Sequence, residues 1–363
     1  MNKALYDHKL TALKERAAYR RGLYLRPELK NLFYEFTQKC NENCFHCGSK
    51  CESLAPTDCM SVEDWKALTR EVALNFPRKP MLCITGGEPL LYDGLFEVMS
   101  HAASLGFVWG MTTNATLIDH DCAQALKKAG MSTVSVSIDG LESTHDAQRG
   151  LKGGYDLAMN GIGHLLEAGF DHVQVTTVIN HRNIGELPEL FEIMDELPID
   201  SWRVINLEPI GRALLHPEYM LDKEDYSWLF SFIREKRELG YPVCYGCSHY
   251  LGIELERDLR DWYFYCTAGR TTASVMSDGS VGACLDIPRI YDEKDGIKTI
   301  QGNVKERSFT DIWENEFKVF RQELSDICVT CRECEETEFC AGGSWHSLDC
   351  VTGEQQMCFK KML

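Results

Sequence analysis

Cys40, Cys44 and Cys47 stand within eight residues, in the stretch Cys40-Asn41-Glu42-Asn43-Cys44-Phe45-His46-Cys47. Thiolate is the usual protein ligand of iron–sulfur clusters, and a four-iron, four-sulfur cluster has four irons to ligate. Three cysteines at this spacing can wrap one corner of such a cluster. One iron then stays open for a substrate or cofactor, as catalytic zinc sites keep one position free. The rival reading is a structural zinc knuckle. Zinc motifs usually carry paired C-x2-C clips with a fourth ligand nearby, and Cys51 is close enough to supply it.

A second set of cysteines lies toward the C-terminus: Cys266 and Cys284, then Cys328, Cys331, Cys334, Cys340, Cys350 and Cys358. Eight thiolates in 93 residues suffice for two fully ligated four-iron clusters, and two zinc sites are the alternative. Cys244 and Cys247 form a further C-x2-C pair. It reads as a redox pair, a metal clip or two ordinary cysteines. Seventeen cysteines in 363 residues without an export signal point to metal binding in a reducing compartment, not to a disulfide framework. The expected location is the cytoplasm.

These residues need a scaffold, and the chain alternates strand and helix patterns. Strands are expected at 33–36, 81–85, 107–113, 133–138, 172–179 and 202–207, with helices at 119–129, 155–168 and 184–197 among them. Six such βα units imply a parallel sheet with helices outside, and ligands held at the carboxyl ends of the strands. The first strand runs into the cysteine motif. The second runs into Gly86-Gly87-Glu88-Pro89, where the glycines allow close backbone approach to a ligand and Glu88 offers an acceptor for a cationic amine. Asn114, Ser137 and Arg149 stand at or after later strand ends, and a guanidinium suits a carboxylate because it binds bidentately. Each could equally serve a turn or a surface ion pair.

The C-x3-C-x2-C motif with Phe45-His46 before its last cysteine resembles that of the radical S-adenosylmethionine (SAM) enzymes. Gly86-Gly87-Glu88-Pro89 is similar to that family's element for the methionyl amino group, and Asn114, Ser137 and Arg149 to positions near the SAM ribose and carboxylate. The resemblance implies a partial (β/α)6 barrel and a catalytic four-iron cluster on Cys40, Cys44 and Cys47. SAM on the open iron is cleaved to a 5′-deoxyadenosyl radical. Cys266-x12-Gly279-x4-Cys284, followed by Cys331-x2-Cys334-x5-Cys340 and Cys358, is similar to the SPASM domain, which holds one or two auxiliary clusters. By that resemblance Cys331, Cys334, Cys340 and Cys358 share one auxiliary cluster. Cys266 and Cys284 belong to the other, with Cys328 or Cys350 added. The family pattern has a cysteine where this chain has Ser344, so the affected cluster recruits Cys328, Cys350 or Cys247, or keeps an open iron. The details Cys47-Gly48-Ser49-Lys50-Cys51 and Cys358-Phe359-Lys360-Lys361 look like one SPASM branch encoded beside small lipoprotein-like chains.

The expected organisation is a basic helical segment over 1–30, a barrel over 31–240 and the SPASM domain over 241–363. The expected function, implied by the resemblance, is oxidation or crosslinking of a peptide or protein substrate. Only 39 residues precede Cys40, too few for a leader-binding domain, so a separate leader-binding protein is one expected partner and an external electron donor another. The alternatives are a radical SAM enzyme acting on a small molecule such as a tetrapyrrole side chain, and a non-catalytic electron-transfer module. Asp286, after Cys284, is the candidate proton acceptor. Net charge of −17 argues against nucleic acid, and no apolar run reaches membrane-span length. Residues 1–30 carry eight Lys/Arg against three Asp/Glu, which predicts a solvated helix face.

Overall fold

The computed structural model describes residues 3–51, 59–285, 287, 297–349 and 352–363. Asp286 and Cys350 lie outside the described residues. After helix α1 (Lys3–Leu25), seven parallel strands build the barrel: β1 (Asn31–Glu35), β2 (Met81–Thr85), β3 (Trp109–Thr113), β4 (Met131–Ser137), β5 (His172–Ile179), β6 (Ser201–Asn206) and β7 (Val243–Tyr245). Six were expected. The seventh carries Cys244, whose short run Val243-Cys244-Tyr245 has no alternation to betray a strand. The helices that cover the barrel are α2 (Val62–Asn75), α3 (Leu95–Ser104), α4 (His120–Lys128), α5 (Glu142–Arg149), α6 (Gly154–Ala168), α7 (Leu187–Glu196) and α8 (Lys223–Glu238).

Alternation along the strands separates two environments, because successive side chains point to opposite faces. In β4, Val134 and Val136 are buried beneath the helices, while Thr133, Ser135 and Ser137 are half-buried toward the barrel interior. β5 and β6 follow the same pattern. The cavity among the strands is therefore lined by polar side chains of β4, β5 and β6 together with apolar ones such as Phe33, Met81 and Met111. Outside, Tyr34 and Trp65 pack with ring centroids 4.8 Å apart, and Phe36 packs on Trp65 at 4.9 Å. Burial of such aromatics supplies much of the driving force for closing the layer.

Three further strands extend this sheet into the cysteine-rich region. β8 (Thr272–Val275) pairs parallel with β1, and β9 (Ser280–Gly282) and β10 (Ile300–Asn303) follow antiparallel. The β8–β9 hairpin turns at Asp278-Gly279, where Gly279 takes φ +90°, as the turn signal predicted. One ten-stranded sheet thus spans both halves of the chain.

The N-terminal helix departs from its expected solvated state. Lys9, Leu13, Ala17 and Arg20 are all buried on one face of α1. Lys9 Nζ reaches the Glu254 carbonyl at 2.6 Å and the Asp258 carboxylate at 2.5 Å. Arg20 donates to the carbonyls of Phe339 at 2.7 Å and Glu338 at 2.9 Å, in the short helix Thr337–Cys340. The basic segment is a strap across the C-terminal region, and it holds the turn that carries Cys340. Arg20→Met should lower unfolding free energy by about 2 kcal/mol, since buried hydrogen bonds to a charged group are lost. Denaturant melts check this, and Arg21→Met, exposed on the same helix, should change little.

Candidate iron–sulfur and substrate site

The cysteine motif leaves the carboxyl end of β1 and is pinned on three sides. Gly87 N donates to Thr37 O at 2.7 Å and Glu88 N to Lys39 O at 2.9 Å, so the turn after β2 is stitched to the chain entering Cys40. A Cβ on Gly86 would lie 2.5 Å from Thr37 O, and one on Gly87 2.2 Å from Lys39 O and 3.0 Å from the Cys40 Cβ. The close approach expected of these glycines is thus made to the cysteine loop itself. On a second side, the Asn43 and Phe45 amides donate to the carbonyls of Arg149 and Gln148 at 2.9 and 3.1 Å. On the third, Arg212 Nε donates to Cys44 O at 2.7 Å, its Nη1 to Cys51 O at 2.9 Å, and its amide to Cys47 O at 3.1 Å. Gly211 must be glycine there, with φ +59° and a Cβ position 2.3 Å from Cys47 O.

Glu88 is fully buried rather than presented to a ligand. Its carboxylate accepts from Thr113 Oγ1 at 2.8 Å, the Asn114 amide at 2.9 Å and the Leu90 amide at 3.3 Å. Burial pushes its carboxyl up to about 7 despite these donors. Pro89 is buried beside it and opens a short 3-10 turn. Asn114 Nδ2 in turn donates to Asn41 of the cysteine loop at 2.9 Å. Ser137 ends β4, half-buried.

Arg149 also differs from its expected role. Its guanidinium is taken up by two of the protein's own carboxylates, Asp139 at 2.9 Å and Glu42 of the cysteine loop at 2.6 Å. Burial would raise the Asp139 carboxyl, but Arg149 and His46 outweigh it and hold the group below the usual carboxylate range. His46 completes the group, with Nε2 3.1 Å from Asp139. Burying a charge costs several kcal/mol unless it is paired, and this group pairs its own.

The thiols fit an iron–sulfur centre by their chemistry. Cys40, Cys44 and Cys47 are free thiols on one pinned loop. Burial pushes Cys40 up to about 11 and Cys44 higher still. A buried thiolate needs a neighbouring cation, and iron supplies one. Cys51 lies against Cys47, whose thiol is lowered to about 5 by that hydrogen bond.

In the C-terminal region Cys331, Cys334, Cys340 and Cys358 line one cavity of about 350 Å³, the set the resemblance implied for one cluster. The Cys328 sulfur lies beside that of Cys331, which places it with that set, not apart from it. Cys266 packs against the apolar group of Leu13, Tyr250, Phe264 and Phe339, while Cys284 follows β9. Ser344 is fully buried and donates to Ser248 O. Cys247 is buried at the end of β6, where its sulfur accepts from the Asn206 amide at 3.2 Å, and it is the chain neighbour of Ser248, which Ser344 contacts.

Between the cysteine loop and the C-terminal region opens a cavity of about 320 Å³, lined among others by His46, Cys47, Glu208, Cys247 and His346. Glu208 sits between two imidazoles, with His249 Nε2 at 2.8 Å and His346 Nε2 at 2.7 Å. Burial would raise this carboxyl, yet the two histidines hold it well below its ordinary value. The strand-end position of Glu208 was visible in the sequence. Its partners were not, since 97 residues separate His249 from His346. A carboxylate held low contributes stability above its unfolded pKa and loses it as pH falls through the folded value. Glu208→Gln should therefore unfold more easily than the parent at pH 7. The gap should close as pH drops below 4.5, the ordinary value. Denaturant melts across pH would show it, and a gap constant down to acid would refute the assignment.

The radical SAM superfamily model matches residues 34–194 and the SPASM iron–sulfur cluster-binding domain model residues 266–335. The chain is 30% identical over 329 residues to an AdoMet-dependent heme synthase of Methanosarcina barkeri, covering 85% of this chain and 89% of that protein. It is 27% identical over 323 residues to a mycofactocin maturase of Mycolicibacterium smegmatis, covering 86% and 77%. Among solved structures, Streptococcus suis SuiB bound to S-adenosylmethionine matches with a TM-score of 0.71 at 18% identity, covering 91% of this chain and 78% of SuiB. That likeness shares the fold, a radical SAM barrel followed by a SPASM domain. No helix among the described residues is long and apolar enough to cross a membrane. With the cysteine loop at the barrel mouth and 30% identity across 85% of its length, the chain belongs to the radical SAM superfamily, in the group that carries a SPASM domain.

Proposed function

We propose that this protein is a radical SAM enzyme that abstracts a hydrogen atom from a side chain of a tetrapyrrole. The observation that carries the reading is the 30% identity, across 85% of this chain, to a protein named AdoMet-dependent heme synthase. The barrel supports it, with a cavity of about 320 Å³ beside the cysteine loop that is lined by both polar and apolar side chains. Cys40, Cys44 and Cys47 would hold the catalytic cluster, with Gly86, Gly87, Pro89 and Glu88 shaping the ground on which SAM sits. Bound there, cluster and SAM together supply a one-electron cleavage that ends in hydrogen-atom abstraction. Cys331, Cys334, Cys340 and Cys358 would hold an auxiliary cluster. Cys266 and Cys284 supply two thiols toward another, and the fully buried Ser344 supplies none.

The chain's own residues do the positioning. Gly87, Arg212 and Arg149 fix the loop that presents the cysteines, and the closed outer layer of Trp65, Tyr34 and Phe36 keeps water from the sheet behind it. His46 and His346 face the chamber and can hold or pass a proton there. A peptide substrate is the second reading, supported by the 27% identity to a mycofactocin maturase.

Anaerobic turnover separates the two. The reconstituted protein, SAM and a low-potential reductant are assayed for 5′-deoxyadenosine with an iron porphyrin bearing carboxylate side chains, and separately with candidate peptides. A variant with Cys40, Cys44 and Cys47 changed to Ala sets the background. The porphyrin is expected to speed 5′-deoxyadenosine formation and to be altered. Acceleration by a peptide with none by porphyrins would overturn the tetrapyrrole reading in favour of the second.

A further inference from the structure

The cavity at the barrel mouth and a second, of about 290 Å³ among the strands, share one charged side chain, Arg203 of β6. The described lining of the second cavity holds no carboxylate, and polar neighbours of Arg203 there are occupied with one another. Ser135 Oγ is 2.8 Å from Thr176 Oγ1, and Gln174 and His172 both reach Ser201 Oγ at 3.0 Å. Arg203 makes a single hydrogen bond, from Nη2 to the Gly246 carbonyl at 2.8 Å, and its Nε is buried with no partner. Among the described residues no carboxylate pairs with it. Arg149 is answered by Asp139 and Glu42, Arg260 by Glu256, and Arg212 by two carbonyls; Arg270 is left with only the Tyr24 hydroxyl at 3.1 Å, but it lines neither cavity.

The pose is built. A Cβ at Gly246 would lie 2.2 Å from Arg203 Nε and 2.4 Å from its Cγ, so residue 246 must be glycine for the side chain to lie where it does. The Gly246 amide is fixed to Val204 O at 2.8 Å. Glu208, the carboxylate on the same chamber, is already held by His249 and His346. A guanidinium with five donors in a fork, one used and one buried unused, is a receptor for a planar anion. A cation lining a half-enclosed cavity without a counter-ion gains most from an anionic ligand.

We infer that Arg203 is the specificity-determining residue that grips a carboxylate of the substrate inside the barrel. This deepens the tetrapyrrole reading and rests on it for the substrate's identity: the enzyme recognises a tetrapyrrole by a carboxylate side chain. SAM also carries a carboxylate, and the test distinguishes the two sources.

The probes are haem, whose two side-chain carboxylates are free, and haem dimethyl ester, in which they are masked. Binding to the cluster-loaded parent and to Arg203→Gln is followed anaerobically by tryptophan quenching, with SAM affinity measured on both proteins without porphyrin. Haem should bind the parent, and either the substitution or the esterification should weaken it by roughly 10- to 100-fold. The two losses should not add, because they remove the same contact. Arg203→Lys should recover part of the affinity, and SAM affinity should stay unchanged. Equal haem affinity in parent and Arg203→Gln would overturn the inference and leave the tetrapyrrole reading standing. A loss of SAM affinity in place of haem affinity would overturn it too, by assigning Arg203 to the cofactor. Propionate, matched against chloride at equal ionic strength in thermal melts, separates the remaining case. If haem fails to bind the parent but propionate stabilises the parent and not Arg203→Gln, the tetrapyrrole reading falls and the carboxylate site stands. If neither acts, both fall.

Discussion

Gly87→Ala should give a protein that folds but cannot take up its first iron–sulfur centre. The new methyl would sit 2.2 Å from Lys39 O and 3.0 Å from the Cys40 Cβ, both well inside contact distance. Something must move, and the atoms in the way are backbone. The hydrogen bonds from Gly87 N to Thr37 O and from Glu88 N to Lys39 O run through the same few atoms, so relief comes by pushing the cysteine loop outward. Overpacking of this kind costs about 1–3 kcal/mol, which a barrel of this size survives. Geometry is less forgiving, since a displacement of about 1 Å at a reacting site can cost roughly 100-fold in rate. Iron and sulfide per chain should fall by the share of one cluster, and 5′-deoxyadenosine formation by roughly that factor. Gly22→Ala is the control, because nothing lies within 4 Å of a Cβ there. Full iron content and full turnover in Gly87→Ala would show that the two loops are not coupled.

Arg149→Met should be the most destabilising single change near the site. It leaves Asp139 and Glu42 buried and facing each other without their shared cation. Breaking a buried ion pair by removing one partner costs about 3–5 kcal/mol, because an uncompensated charge stays behind. Glu42 lies between Cys40 and Cys44, so the cost is borne by the cysteine loop. The double variant Arg149→Met, Glu42→Gln removes one of the stranded charges and should recover part of the loss. Anaerobic denaturant unfolding of parent, single and double variants measures it. A single variant within about 1 kcal/mol of the parent, or a double variant worse than the single, would refute the network.

Motifs that are local in the chain were legible. The spacing of Cys40, Cys44 and Cys47 and the Asp278-Gly279 turn each act through neighbours a few residues away. Strand and helix order was legible for the same reason: alternation and helical periodicity need only a short window. What the sequence did not show was the partner far off in the chain. Gly86 and Gly87 were read as making room for a ligand, and they also make room for Thr37–Cys40. Arg149 was read as a carboxylate receptor or an ion pair, and Glu42 and Asp139 pair with it. The basic residues of α1 were read as solvated, yet Lys9 and Arg20 stand four and three residues beyond the ends of the Leu13–Ala17 stripe, on the buried face. A charge flanking an apolar stripe at helical spacing can be read that way only when an acceptor for it is known.

What the sequence determined by itself was the ligand chemistry, the strand-and-helix order and the family to which both belong. Ligand chemistry depends on residue type, and the order of elements on short-range pattern. Only the tertiary structure decided which thiols share a cavity, that the Asn206 amide meets Cys247, that Glu208 lies between His249 and His346, and that Arg203 faces the chamber with one hydrogen bond. The last three are contacts between segments about forty to a hundred or more residues apart. Such contacts are set by how the sheet closes and how the C-terminal region packs on its mouth, which no local pattern encodes.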